Sequence, residues 1–167
     1  LSYTDNGDGT VTDNNTGLMW EKKDDNNTGG IHDKDNSYTW WGGASGGDLM
    51  DGTMVTVFLA GLNTPPGFAG HTDWRIPNVK ELQSIVNYEI PYPGPTVDAV
   101  FHHAATCGGC TDVTNALCSC TASDYYWSST TYPYNPYSAW HVYFSYGFVG
   151  AYYKDSSLSA RAVRGGL

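Results

Sequence analysis

Basic side chains are scarce in this sequence. Lysine and arginine supply 8 of the 167 residues, against 17 aspartates and glutamates, which gives a formal net charge of −9 at pH 7. Phosphate backbones, anionic membranes and sulfated glycans repel a protein of this charge. We therefore expect neither a nucleic-acid partner nor a polyanionic ligand.

Long apolar runs are also missing. No stretch approaches the roughly 20 apolar residues of a transmembrane helix, so we expect no membrane insertion. The sequence starts at Leu1 with neither an initiator methionine nor a signal-like segment. A processed secreted protein begins in this way, and so does an internal chain boundary. We predict an extracellular location.

Cysteine is confined to one short segment, which contains Cys107, Cys110, Cys118 and Cys120. A zinc site with His102 and His103 as further ligands is one interpretation, but the spacing fits zinc knuckles and ribbons poorly. Two structural disulfides in an oxidising compartment fit better. Pairing within each half would be the most strained of the three connectivities, so we expect bonds between the halves.

Glycine and proline are abundant, with 20 and 8 residues. They indicate a loop-rich fold, and the length suits a single domain over residues 1–167. The dipeptides Asn6-Gly7 and Asp8-Gly9 predict the turn of a hairpin within residues 3–20.

Two short helices are predicted, over 53–62 and 79–87. Thr53 is the expected cap of the first helix. The residues expected on its buried face are Met54, Val57, Phe58 and Leu62.

The second helix follows the most informative segment of the chain. Pro77 prevents a helix from continuing through it, and Asn78 with Glu81 forms a capping-box pattern. Just before them, Trp74 is expected in the core and Arg75 is expected to hold a loop carbonyl or carboxylate. We assign these residues structural roles.

From Tyr125 onward the sequence predicts an antiparallel meander of short strands. Trp127 falls in the first strand, and residues 139–144 alternate with period two. The alternation places Trp140, Val142 and Phe144 inward, and His141 and Tyr143 outward. We assign Trp127 and Trp140 to the scaffold. The whole pattern indicates an α+β fold.

Nine of the thirteen tyrosines lie between residues 125 and 153. Aromatic residues favour strand edges, but a tyrosine-rich mixture with Ser, Asn and Gly is typical of binding loops. We predict a binding surface for a glycan or a surface protein. Its candidate contacts are Tyr132, Tyr134, Tyr137, His141, Tyr143, Tyr146, Phe148, Tyr152 and Tyr153.

Signals for a metal or for catalysis are weaker. The acidic residues Asp24, Asp25, Asp33 and Asp35 are candidate Ca²⁺ ligands, although a solvated loop is the favoured interpretation. His141 and Ser129 have no spacing that would orient a catalytic triad. We name no catalytic residue and expect that the chain is not an enzyme.

An ordered set of motifs resembles one known family. The segments are Asp5–Asp13, Thr16–Trp20, Thr72–Asn78 with Glu81 and Leu82, Tyr126–Thr130 and Arg161–Arg164. Together they are similar to the C-terminal domain of the Legionella collagen-like adhesin. The resemblance implies a C-type-lectin-like α+β fold with two short helices, antiparallel sheets and long loops, related at a distance to the formylglycine-generating enzyme. It also implies bacterial surface display, adhesion through glycan or host-matrix binding, and trimerisation.

Two departures from the resemblance bear on the ligand. The sequence contains neither the Glu-Pro-Asn nor the Trp-Asn-Asp triplet with which lectins of this fold hold sugars through Ca²⁺. We therefore do not expect sugar binding through a calcium bridge. The acidic charge also makes the sulfated ligands associated with the named adhesin a poor expectation.

Some modules of this fold are variable proteins of diversity-generating retroelements, in which adenine-directed mutagenesis rewrites surface codons. The residues that resemble such a set are His141, Tyr143, Ser145, Tyr146, Phe148, Gly150, Tyr152, Tyr153, Asp155, Ser156 and Ser157. Two functional alternatives also remain open. One is a self-assembling subunit of a surface filament, and the other is a formylglycine-generating-type oxidoreductase that uses the cysteines as redox groups or copper ligands.

Overall fold

A four-stranded antiparallel sheet brings the beginning and the end of the described chain together. The computed structural model describes residues 1–27, 29–43 and 47–165. The strand order of this sheet is β1-β2-β3-β9. Its strands are β1 Tyr3–Asp5, β2 Thr10–Asp13, β3 Leu18–Glu21 and β9 Val163–Gly165. The predicted hairpin is thus a three-stranded meander, with positive φ at Gly7 and Gly9 in the first turn.

The first helical segment differs from its prediction. A π-helix, Met54–Leu59, passes directly into the α-helix α1, Ala60–Asn63. Thr53 makes no side-chain cap, and its hydroxyl instead accepts a hydrogen bond from the backbone N–H of Thr39 at 2.8 Å. Val57 is 58% exposed rather than buried. The wider π-helical turn breaks the 3.6-residue spacing on which its placement depended.

The second helix, α2 Val79–Ser84, begins as predicted. The Asn78 side chain accepts from the backbone N–H groups of Lys80 and Glu81, both at 2.9 Å, and Glu81 accepts from the Asn78 N–H at 2.8 Å. This capping box is confirmed. The helix ends three residues earlier than predicted, because the backbone after it pairs with another segment: Val86 forms a bridge with Val97.

A three-stranded antiparallel sheet forms the C-terminal third, as the predicted meander requires. It contains β5 Tyr125–Thr131, β6 Ser138–Tyr143 and β7 Phe148–Tyr153, in the order β5-β6-β7. The short strands β4 Tyr38–Thr39 and β8 Ser157–Leu158 pair beside it. Short helices with antiparallel sheets confirm the α+β class and agree with a C-type-lectin-like fold.

The predicted alternation in β6 is only partly correct. Val142 and Phe144 are buried as predicted, but Trp140 is half-buried. His141, predicted to face outward, is 3% exposed. The reason is tertiary: the rings of Tyr125 and Tyr152 cover its imidazole, with centroids 4.9 and 6.1 Å away.

Tryptophan side chains tie the core to the backbone. The indole N–H of Trp127 donates to the Tyr38 carbonyl at 2.9 Å, and that of Trp74 donates to the Phe68 carbonyl at 3.0 Å. Both indoles are buried in one hydrophobic cluster, while Trp20 lies in a second cluster. Because both indole N–H groups have a partner, these hydrogen bonds offset the cost of burying Trp74 and Trp127 in the core.

A buried ion network lies between β3 and the segment before β9. The Glu21 carboxylate contacts the Lys23 ammonium at 3.2 Å and the His32 ring at 2.8 Å, and it accepts from the Ala162 N–H at 3.1 Å. Burial alone would raise the pKa of Glu21, but Lys23 and His32 hold it below its ordinary value. The fully buried Arg161 donates to the Cys120 carbonyl at 2.7 Å and so joins this network to the cysteine segment.

The cysteine segment is closed by two disulfides, Cys107–Cys120 and Cys110–Cys118. Both join the two halves of the segment, which confirms the predicted type of connectivity. All four thiols are used in these bonds. No helix within the described ranges is long and apolar enough to cross a membrane.

Candidate functional site

One face of the β5-β6-β7 sheet carries a row of aromatic side chains. Cross-strand pairing places Tyr125 opposite Tyr143, and Tyr143 opposite Phe148, so the three share a face. The residues that continue the row lie in the β6–β7 turn, farther along β7 and in the proline-rich loop. We define the aromatic stripe as Tyr92, Tyr125, Tyr143, Tyr146, Phe148 and Tyr152.

Ring contacts connect the stripe from end to end. Tyr125 stacks on Tyr143 with centroids 4.2 Å apart, and Tyr143 meets Phe148 edge-on at 5.2 Å. Tyr143 also lies 5.5 Å from Tyr146, which in turn stacks on Tyr92 at 4.7 Å with ring planes 4° apart. Packing of this kind fixes the side chains before any ligand arrives, which lowers the entropic cost of binding.

The outer rings of the stripe are open to solvent. Their exposed fractions are 61% for Tyr92, 51% for Tyr146, 47% for Phe148 and 46% for Tyr152. Tyr125 and Tyr143 are half-buried beneath them. Contiguous exposed aromatic surface of this kind is typical of interaction sites on soluble proteins.

His141 lies under the stripe rather than on its surface. Both ring nitrogens lack a hydrogen-bond partner among the described residues. Burial lowers the pKa of His141 to about 4, so the ring is neutral at physiological pH. Its predicted contact with a ligand is therefore corrected: His141 supports the rings of Tyr125 and Tyr152 from below.

The other predicted contact residues form separate groups. Tyr132 meets Trp140 edge-on at 4.9 Å and lies 5.5 Å from Tyr134. Tyr153 is directed to the same face as Trp140, because Trp140 pairs with Ala151, two residues before Tyr153. Tyr137 lies 6.3 Å from Trp41. Only Tyr143, Tyr146, Phe148 and Tyr152 of the predicted set belong to the aromatic stripe.

The acidic loop brings together three of its four predicted Ca²⁺ candidates. One carboxylate oxygen from each of Asp25, Asp33 and Asp35 lies within 4.8 Å of the others. The Lys34 ammonium contacts Asp35 at 2.7 Å and Asp25 at 3.2 Å. Asp24 does not belong to this group. The Lys34 ammonium thus neutralises part of the negative charge of this aspartate group.

Residues 9–164 match the Lcl C-terminal domain family. The chain belongs to this family. No curated protein is significantly similar to the chain. The family is that of a surface adhesin, and the two disulfides of this Lcl C-terminal domain agree with an extracellular or surface protein. The matched span contains the capped helix, the cysteine segment and all six residues of the aromatic stripe.

Two members of the stripe in this Lcl C-terminal domain were not among the predicted contacts. Tyr125 begins β5, and the strand register that places it beside Tyr143 is visible only once the strands are paired. Tyr92 comes from a proline-rich loop 54 residues before Tyr146, and no periodic pattern links the two. The concentration of tyrosine in the sequence could have included Tyr125, but it carries no signal for Tyr92.

Proposed function

We propose that this domain is an extracellular adhesion module that binds a glycan or a surface protein through the aromatic stripe. The observation that carries the proposal is the unbroken series of ring contacts from Tyr92 to Tyr125, with its outer rings exposed. Tyrosine supplies a rigid apolar ring and a hydroxyl group that reaches solvent. Stacking and hydroxyl hydrogen bonds, rather than charge pairs, would hold the ligand.

Alanine substitution in the stripe tests this function. Tyr146→Ala and Phe148→Ala should each weaken binding roughly 10- to 30-fold, because each removes an exposed ring of the contact surface. Binding is measured on an array of glycans and host-matrix proteins, in the presence and absence of EDTA. Thermal unfolding of each variant should change little, since both side chains are about half exposed.

Tyr134→Ala is the matched control, because Tyr134 is 86% exposed and lies outside the stripe. It should bind as the unmodified domain does. If binding on the array is retained in both stripe variants but lost in Tyr134→Ala, the binding site lies in the group around Trp140 instead of the stripe. Binding that none of the three changes would contradict a tyrosine-based surface.

The stripe also bears on the hypothesis of retroelement diversification. Strand register directs His141, Tyr143, Phe148, Gly150 and Tyr152 of the proposed variable set to one face of the sheet. Residues of a variable set are expected to be exposed to solvent, but His141 and Ser145 are buried. Variation concentrated on this face would change the ligand while leaving the sheet intact. The hypothesis requires a nearby template repeat that differs from this gene mainly at adenines, which sequencing of the locus reveals.

Self-assembly into a trimer or filament is the second candidate function. The observation that favours it is a separate aromatic group in which Tyr134 and Tyr153 are exposed and Tyr132 is half-buried, and which a second copy of the chain could cover. Light scattering across a concentration series separates a monomer from an assembly. The formylglycine-generating-type alternative is tested by counting free thiols in the native protein, since redox or copper chemistry at the cysteines requires them.

A further inference from the structure

A polar pocket lies at the end of the aromatic stripe where Tyr125 and Tyr152 are found. Its volume is about 360 Å³, which falls within the range of about 300–1,000 Å³ typical of small-molecule sites. Three segments of the chain line it, within residues 34–37, 122–125 and 152–159. Tyr125 and Tyr152 are the stripe residues that also line the pocket.

Serine hydroxyls give this pocket its hydrogen-bonding capacity. Ser37, Ser156, Ser157 and Ser159 all line the pocket. Within the described part of the chain, none of these four hydroxyls makes a hydrogen bond to another protein group. Each can both donate and accept, so together they form an adaptable polar lining that is available to a ligand.

The charges around the pocket disfavour an anionic ligand. Asp35 and Asp124 contribute two carboxylates, and Lys34 contributes one ammonium. Burial alone would lower the pKa of the Lys34 ammonium, but its contacts with Asp35 and Asp25 raise this pKa above its ordinary value. The lysine therefore stays charged and paired. A ligand carboxylate or sulfate would have to compete with these carboxylates for the same lysine.

The remaining wall of the pocket is aromatic and apolar. It is lined by the rings of Tyr125 and Tyr152, whose centroids are 6.0 Å apart, and by the buried Leu158. A sugar has an apolar face of C–H groups and a rim of hydroxyls, and it can use both parts of this lining at once. The carboxylates of the pocket can accept hydrogen bonds from the sugar hydroxyls, and the serine hydroxyls can donate hydrogen bonds to the oxygens of the sugar.

We propose that this pocket binds one uncharged sugar unit, with the rest of the glycan lying along the aromatic stripe. The proposal rests on the binding function proposed above and chooses a carbohydrate over a protein as the ligand. Recognition uses ring stacking on Tyr125 and Tyr152 together with hydrogen bonds to serine and aspartate. These contacts use only side chains of the pocket, so binding does not need Ca²⁺.

Saturation-transfer NMR on the whole domain tests the pocket directly. The neutral probes are methyl α-D-mannoside, methyl β-D-galactoside, methyl α-L-fucoside and N-acetylglucosamine, and the anionic probes are N-acetylneuraminic acid and glucose 6-sulfate. At least one neutral probe should give a signal, the anionic probes should give none, and EDTA should change neither result. Absence of signal from every neutral probe, or a signal that EDTA abolishes, would overturn the proposal.

The double variant Ser37→Ala/Ser157→Ala assigns the signal to the pocket. Both residues are exposed, so the fold is retained, and loss of two ligand hydrogen bonds should weaken the neutral probe about 10-fold. Thr72→Ala, at an exposed hydroxyl outside the pocket, is the control and should bind normally. An unchanged affinity in the double variant would contradict the assignment.

The stripe variants separate the two proposals. If Tyr146→Ala abolishes binding on the array while the serine double variant binds fully, the pocket proposal fails and the proposed function stands. If neither set of variants changes array binding, both fail. If both sets weaken binding to the same glycan, the pocket and the stripe form one continuous site.

Discussion

At the scale of single residues, His141 shows where sequence patterns stop being informative. Its place in an alternating strand predicts an exposed side chain, yet it is 3% exposed. The strand and its period were predictable from residues 139–144 because alternation is local. Burial of this particular side chain depends on Tyr125 and Tyr152, which reach it from two neighbouring strands. No local pattern contains that information.

The buried imidazole predicts a pH effect on stability. Its pKa is about 4 in the folded protein, below the ordinary value of 6.5, so between these values the unfolded chain binds the extra proton. Stability should therefore fall as pH decreases from about 6.5 toward 4, by roughly 2 kcal/mol from this residue. Urea unfolding at several pH values measures the loss. His141→Leu is the comparison, and it should lack this component while retaining the loss caused by carboxylates.

At the scale of elements, helix α2 is the part that the sequence specifies most completely. Proline, cap and capping-box partner lie within five residues of one another, so local chemistry alone sets where the helix begins. Its end was not predictable in the same way. The bridge between Val86 and Val97 joins segments that are distant in sequence.

The cap of α2 gives a prediction at this scale. Asn78→Ala removes two hydrogen bonds to backbone N–H groups and should lower the free energy of unfolding by about 1 kcal/mol. Chemical denaturation measures the change. Lys80→Ala, on the exposed side of the same helix, is the control and should be nearly neutral. Equal losses in the two variants would contradict a specific role for the cap.

At the scale of the whole molecule, the cysteine segment is attached to the core rather than free at the surface. Arg161 and the backbone of Lys23 both bind Cys120, so the disulfides stabilise a region that contacts the buried ion network. The connectivity type was predictable from the strain of close pairing. The contact between the buried Arg161 and the cysteine segment was not predictable. The partners of this arginine are backbone carbonyls and a hydroxyl, and such groups produce no spacing pattern in the sequence.

Reduction of the disulfides should destabilise the domain as a unit. Opening the loops, with sequence separations of 13 and 8, should lower the free energy of unfolding by about 2–3 kcal/mol for each bond. Thermal unfolding with and without a reductant measures this, alongside a titration that finds no thiols before reduction and four after it. An unchanged melting curve after four thiols appear would show that the segment contributes nothing to stability.

Gly150 constrains any attempt to redesign the ligand preference of this sheet. A Cβ atom at position 150 would come within 2.8 Å of Cε1 of His141, so the missing side chain on one strand provides the room for the imidazole on the next. Substitutions at these two positions must therefore be selected as a pair, with any gain of volume at 150 matched by a loss at 141. A randomised library that treats the two codons independently would include clashing combinations, namely those that add a side chain at 150 and keep a bulky one at 141.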